Sequence, residues 1–126
     1  MFCFNWYTSI MENTVDVRPW GRYEVLLDTE YTKVKLITVE PRKRLSYQSH
    51  KKRQEQWVLV KGKLTIVCND IEFQLDNEGD YFNIPLGSNH RAWNQTDEVC
   101  EFVEVQTGTY FGEDDITRIQ DDYNRK

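Results

Sequence analysis

The sequence predicts a small all-β domain, and three observations carry the prediction. Apolar residues recur in short runs of period two, bounded by turn residues, at spacings of about 8–12 residues. No stretch before Gly112 repeats apolar residues at the 3.6 period of an amphipathic helix. The 126 residues include 39% apolar, 13% aromatic and 29% charged side chains, with only 6 Gly and 3 Pro. That is globular usage with room for one core, which excludes disordered, collagen-like and disulfide-scaffold classes.

Residues 1–17 read as a peripheral extension. Met1-Phe2-Cys3-Phe4-Asn5-Trp6-Tyr7 is aromatic-rich, but it lacks the basic start and long apolar stretch of a signal peptide. An edge strand, or a stretch preceding a natural start at Met11, is expected there. The domain proper is expected over 18–126. Residues 23–27 and 33–40 alternate or nearly alternate, and the second run is rich in β-branched residues. Residues 57–60 run into the Lys61-Gly62 turn, 64–68 follow, and Asn69-Asp70 turns the chain into the alternating run 71–75. A further turn at Asn77-Glu78-Gly79-Asp80 leads to 81–84, and 99–106 alternates once more. Residues 113–124 are expected to form a short helix or an irregular tail, although Asp121-Asp122 late in it opposes the helix dipole.

A net charge of −5 and a pI near 5.0 argue against a general nucleic-acid binder. No apolar run approaches the roughly 20 residues of a membrane helix. Cys3, Cys68 and Cys100 share no short spacing, so reduced thiols and a cytoplasmic location are expected. A barrel of about eight strands has an interior just wide enough for side chains or one small ligand. Which polar residues point inward therefore decides what the domain does.

The two histidines, His50 and His90, each sit in a patterned stretch. The first reads Gln48-Ser49-His50, then Glu55, then Gly62; the second reads Gly79, Pro85-Leu86-Gly87, His90 and Asn94. They resemble the paired signatures of the cupin superfamily, H-x-H-x4-E-x6-G and G-x5-P-x-G-x2-H-x3-N. The second agrees at every defined position. In the first, Gln48 takes the place of the leading histidine, and Arg42 stands six positions before it, where the fuller form of the signature opens with a glycine. The resemblance implies a single-domain double-stranded β-helix, or jelly-roll barrel. Residues two apart on a strand face the same side, so Gln48 and His50 share a face. Glu55 follows a short turn, and the turns around Gly79, Pro85 and Gly87 return His90 to the opposite wall. An amide oxygen, two imidazoles and a carboxylate suit one divalent ion of Zn, Mn, Co, Ni or Fe. Gln48, His50, Glu55 and His90 are the expected ligands.

Further segments resemble the type II mannose-6-phosphate isomerase (phosphomannose isomerase) cupin domain. They are Arg18-Pro19-Trp20-Gly21-Arg22-Tyr23-Glu24, the stretch from Leu45 to Trp57, Ile84 to Arg91, and Glu104-Val105-Gln106-Thr107-Gly108-Thr109-Tyr110 continuing to Ile116. Glutamine is usual in that family at the Gln48 position. Members often carry this domain after a mannose-1-phosphate guanylyltransferase domain. These 126 residues hold no Gly-rich nucleotide loop, and guanylyl transfer is not expected of them.

The resemblance implies interconversion of mannose 6-phosphate and fructose 6-phosphate, so a small phosphorylated sugar is the expected partner. Its phosphate needs cationic donors. Arg42, Lys43, Arg44, Lys51, Lys52 and Arg53 form a basic stretch free of acids. Arg53 and Lys52 are candidates from it, with Lys35 and Arg91 beyond it; Arg91 follows a metal ligand and should face the other way. Glu104 is a candidate base, equally readable as an exposed strand residue, and Arg118 a candidate cap from the closing segment. A homodimer is implied by resemblance alone. The chain departs from the family at Lys51, Lys52 and Gln56, where histidines are frequent. Those departures keep open a sugar-phosphate-binding or regulatory cupin without turnover, beside a different sugar isomerase or an oxygenase on the same fold.

Overall fold

The computed structural model describes residues 14–125. Eleven strands follow in chain order: β1 (Thr14–Arg18), β2 (Gly21–Asp28), β3 (Thr32–Val39), β4 (Tyr47–Ser49), β5 (Arg53–Lys61), β6 (Leu64–Cys68), β7 (Ile71–Leu75), β8 (Tyr81–Ile84), β9 (His90–Trp93), β10 (Cys100–Gly108) and β11 (Thr117–Gln120). They form two sheets, ordered β1-β2-β3-β10-β5-β8 and β11-β4-β9-β6-β7, with antiparallel pairing throughout. The all-β expectation holds in this jelly-roll arrangement.

The inner face changes character along each long strand, and that change separates core from site. On β5 the buried residues run Arg53, Glu55, Trp57, Leu59; on β10 they run Cys100, Phe102, Glu104, Gln106. The strands are antiparallel, with Phe102 opposite Leu59 and Gln106 opposite Glu55, so apolar meets apolar and polar meets polar. β3 repeats the gradient: Ile37 pairs with Phe102 and Lys35 with Glu104. One end of the barrel is therefore a dry floor of Ile37, Val39, Leu59, Leu64, Ile66, Ala92, Cys100 and Phe102. Burying each large apolar side chain there stabilises the fold by about 1.5–3 kcal/mol. The other end keeps the charged residues.

Asn94, the last residue of the second signature, is wholly buried and ties the floor shut. Its Nδ2 donates to the carbonyls of Val39, Glu40 and Glu98, and its Oδ1 accepts from the Thr96 amide and hydroxyl. Gly21 turns β1 into β2 at φ +151°, where a Cβ would collide with the Thr38 carbonyl.

The closing segment differs from the sequence expectation. Residues 117–120 form strand β11 on β4 rather than a helix. β4 offers an open edge, and the two late aspartates that oppose a helix dipole instead bind arginines, Asp121 to Arg125 and Asp122 to Arg44. Cys68 and Cys100 are buried and unbridged. Cys3 and the aromatic stretch 1–7 lie outside the described residues, whereas 14–17 pair with β2 as an edge strand. Among the described residues no helix is long and apolar enough to cross a membrane.

Candidate metal centre and active site

Three expected ligands converge at the polar end of the barrel. His50 leaves β4, Glu55 sits on β5 and His90 opens β9; their ligand atoms lie within 4.8 Å of one another, and all three residues are buried. His50 Nε2 is 3.4 Å from Glu55 Oε2, and His90 Nε2 is 3.7 Å from Glu55 Oε1. Gln48 lies opposite His90 in the strand register and lines the same pocket, with its Nε2 donating to Ser46 Oγ at 3.1 Å.

Hydrogen bonds set both imidazole tautomers. His50 Nδ1 lies 2.6 Å from the Asp115 carbonyl and His90 Nδ1 lies 3.0 Å from that of Ser88. A carbonyl only accepts, so each Nδ1 carries the proton and each Nε2 turns a lone pair into the pocket. Burial, with Arg53 nearby, pushes His50 down to about 4, and burial lowers His90 as well. Two neutral imidazoles and one carboxylate, oriented by backbone carbonyls behind them, fit a divalent ion.

The guanidinium of Arg53 rests on the same atoms. Its Nε donates to Glu55 Oε2 at 3.0 Å and its Nη2 to His50 Nε2 at 3.3 Å, while its buried Nη1 has no hydrogen-bond acceptor. Burial alone would lower its pKa, but the carboxylates of Glu55, Glu104 and Glu113 outweigh that and raise it.

Glu104 faces inward from β10 and is buried, which removes the alternative of an exposed strand residue. Trp57 Nε1 donates to Glu55 Oε1 at 3.0 Å and Glu104 Oε2 at 3.1 Å, so one indole N–H bridges the two carboxyl groups. Gln106 donates to Glu104 Oε1 at 2.6 Å. Burial, then the Glu55 charge, pushes the Glu104 carboxyl up to about 7 against the pull of Lys35. A carboxyl poised there can both take and return a proton near neutral pH.

The cationic candidates divide. Lys35 and Arg53 are buried in the pocket wall, and Arg118 lines it from β11, paired in register with Gln48. Burial, with Arg125 and Arg18 close by, disfavours the Arg118 charge. Arg91 lies along the wall, but its guanidinium serves structure: Nε donates to the Leu45 carbonyl and Nη1 to Gln120. Lys52 does not join the pocket; it is exposed, with Nζ 5.1 Å from the Tyr110 ring centroid. Lys52 lies in the bend before β5 and faces outward, whereas Arg53, the first residue of that strand, turns in. The basic stretch is likewise no single rim, because Arg42 pairs with Asp97 and Arg44 with Asp122, away from the triad.

Sequence reasoning missed three participants: Trp57 as the bridge between carboxyl groups, the Asp115 carbonyl behind His50, and Glu113 within the cationic wall. For Trp57 the signal was present, since Arg53, Glu55 and Trp57 alternate on one strand face. Asp115 and Glu113 fall within the family-like segment that closes at Ile116, but nothing local to it says that they meet His50, 65 positions away, and the Lys35–Arg53 wall.

The sequence profile of one family, described as "Mannose-6-phosphate isomerase C-terminal", matches residues 8–121. The alginate biosynthesis protein AlgA of Pseudomonas aeruginosa is 44% identical over 109 residues, covering 86% of this chain and 22% of that protein. A mannose-1-phosphate guanylyltransferase of Klebsiella pneumoniae is 41% identical over 108 residues, covering 86% of this chain and 23% of the relative. The chain thus spans less than a quarter of the length of either relative. Among solved structures, the capsular polysaccharide assembling protein CapF from Staphylococcus aureus superposes with a TM-score of 0.73 at 18% identity, over 86% of this chain and 32% of CapF. An uncharacterized protein with a double-stranded beta-helix domain from Klebsiella pneumoniae gives 0.69 at 24% identity, over 81% of this chain and 89% of its own. These structures share the fold. With a matching profile over nearly its whole length and the cupin architecture beneath it, the chain belongs to the mannose-6-phosphate isomerase C-terminal family.

Proposed function

We propose that this domain is a metal-dependent aldose–ketose isomerase that interconverts mannose 6-phosphate and fructose 6-phosphate. One observation carries the reading: the His50–Glu55–His90 donors, the Glu104 carboxyl and the Lys35–Arg53 wall face a single pocket. A divalent ion held by the two Nε2 atoms and a Glu55 oxygen, with Gln48 alongside, would polarise the sugar carbonyl and stabilise the oxyanion that develops. Glu104 takes the C2 proton of the open-chain aldose, and the electron pair moves into the C1–C2 bond. Return of the proton to C1, with the hydroxyl proton shifting from O2 to O1, yields the ketose. Trp57 and Gln106 hold the Glu104 oxygens for this transfer. Lys35 and Arg53 supply charge for the phosphate.

A second reading, an anion-binding cupin without turnover, is favoured by the Arg53 guanidinium seated on two of the triad's donor atoms. One experiment separates the two. Purified protein is incubated with mannose 6-phosphate and fructose 6-phosphate is followed as isolated, with chelator, and with Zn, Mn, Co or Ni restored. Loss with chelator, recovery with metal and abolition in His90→Ala are expected. Folded protein that binds the sugar phosphate but turns over with no metal refutes the isomerase and leaves the binding module.

A further inference from the structure

Glu113 has no part in the donor triad or in proton transfer, yet its carboxylate stands in the cationic wall. Its Oε2 lies 2.8 Å from Lys35 Nζ, 3.9 Å from Arg53 Nη1 and 4.0 Å from Lys33 Nζ. The Lys35 and Arg53 side chains are 5% exposed, whereas that of Glu113 is 48% exposed. The cations are thus fixed inside and the anion reaches in from the rim. Burial would raise the Glu113 carboxyl, but Lys35 and then Arg53 outweigh it and hold it below its ordinary value.

The surroundings suit an anion larger than a carboxylate. Arg53 Nη1, buried and without a hydrogen-bond acceptor, points toward Glu113 but beyond bonding distance. Lys35 Nζ stands 4.1 Å from the Tyr23 ring centroid, and the Tyr23 hydroxyl accepts from Arg18 Nη2 at 3.2 Å, which keeps both cations at the pocket. The backbone around Glu113 is anchored. Phe111 is buried on one side; on the other, the Asp115 carbonyl accepts from His50 and its carboxylate accepts from the Lys51 and Lys52 amides. The Glu113 side chain can therefore swing outward while the turn stays.

We propose that Glu113 is a built-in occupant of the anion subsite, neutralising Lys35 and Arg53 until the phosphate of a ligand takes those donors and displaces it. This rests on the sugar-phosphate reading of the pocket and adds a selection rule to it. A phosphate offers up to two charges and three terminal oxygens, enough to satisfy Lys35 and both outer nitrogens of Arg53. A single carboxylate or a neutral sugar competes poorly with the tethered glutamate, so dianions are selected.

The test is calorimetric titration of metal-free protein with inorganic phosphate and, separately, mannose 6-phosphate. The proteins are wild type, Glu113→Gln, Lys35→Met and Asp114→Asn, the last removing the same charge one residue away without touching Lys35 or Arg53. Glu113→Gln should bind phosphate at least about tenfold tighter, because the competent state no longer waits for the latch to open. Asp114→Asn should match wild type and Lys35→Met should lose binding. If Glu113→Gln is less stable alone, phosphate should raise its melting temperature more than that of wild type. Equal or weaker phosphate binding by Glu113→Gln, or the same gain in Asp114→Asn, overturns the inference. Should wild type still bind mannose 6-phosphate through Lys35 in that case, the sugar-phosphate reading survives without it. A phosphate gain in Glu113→Gln with no preference for mannose 6-phosphate over phosphate upholds the latch and removes that reading. Binding of no anion by any variant ends both.

Discussion

Replacing Arg53 by methionine should move the affinities for metal and for phosphate in opposite directions. The guanidinium donates to Glu55 Oε2 at 3.0 Å and to His50 Nε2 at 3.3 Å. The imidazole nitrogen has one lone pair, so an ion bound there must first displace the arginine. Each bond involves a charged group and is worth about 1.5–3 kcal/mol, so displacement forfeits about 3–6 kcal/mol before compensation. Turning toward Glu113, 3.9 Å from Nη1, recovers part of it. A net cost of about half the lost sum is about 1.5–3 kcal/mol, or roughly ten- to a hundredfold in affinity. Methionine keeps much of the buried stem while removing the charge. Titration of Arg53→Met with Co(II), followed by its visible absorbance and by chelator competition, should therefore show roughly ten- to a hundredfold tighter binding, with weaker binding of mannose 6-phosphate. Unchanged or weaker Co(II) binding in a folded variant would refute the argument that Arg53 and the ion share the same donors.

Asn94→Ala should destabilise the fold by about 3–5 kcal/mol at about 1 kcal/mol per bond, because its Nδ2 and Oδ1 serve three carbonyls and the two polar groups of Thr96. Urea denaturation should show a lower midpoint with an unchanged slope. Arg125 hydrogen bonds hold the buried Asp121 carboxyl at about 2, below its ordinary 3.8. A depressed acid contributes stability above its unfolded value, so the docking of 117–125 should hold above about pH 4 and weaken as pH falls from 3.8 toward 2. Asp121→Asn should loosen the tail at neutral pH and flatten that acid window, as read by hydrogen exchange of the β11 amides.

Much of the strand architecture is legible along the chain because a strand buried on one face writes its burial as period-two alternation. The run at 99–106 is β10, buried at alternate positions; the runs at 71–75 and 81–84 are β7 and β8, mostly exposed strands whose limits are set by the turns that bound them. The tail escapes the local pattern because β11 is a mostly exposed edge strand whose partner, β4, is only three residues long. Its conformation comes from an edge that local propensity does not see. The triad was legible for a different reason: His50, Glu55 and His90 stand on the positions of the paired cupin signatures, and the fold brings them together.

What the sequence by itself determined is the class of the fold, from period-two runs and turns, and the donor set, from residues that match the paired cupin signatures; the neutral state of the imidazoles comes from burial and from carbonyls placed behind them by the fold. What only the tertiary structure decided is which charges share the pocket. Lys52 and Arg53 are adjacent in the chain, yet the bend before β5 leaves one beside Tyr110 and the strand carries the other into the triad. Glu104 acquires its raised pKa from burial beside Glu55 on a neighbouring strand, and Glu113 meets Lys35 across 78 positions of sequence. Electrostatics depends on distance through space and on exclusion of water, and both are properties of the closed barrel rather than of the chain.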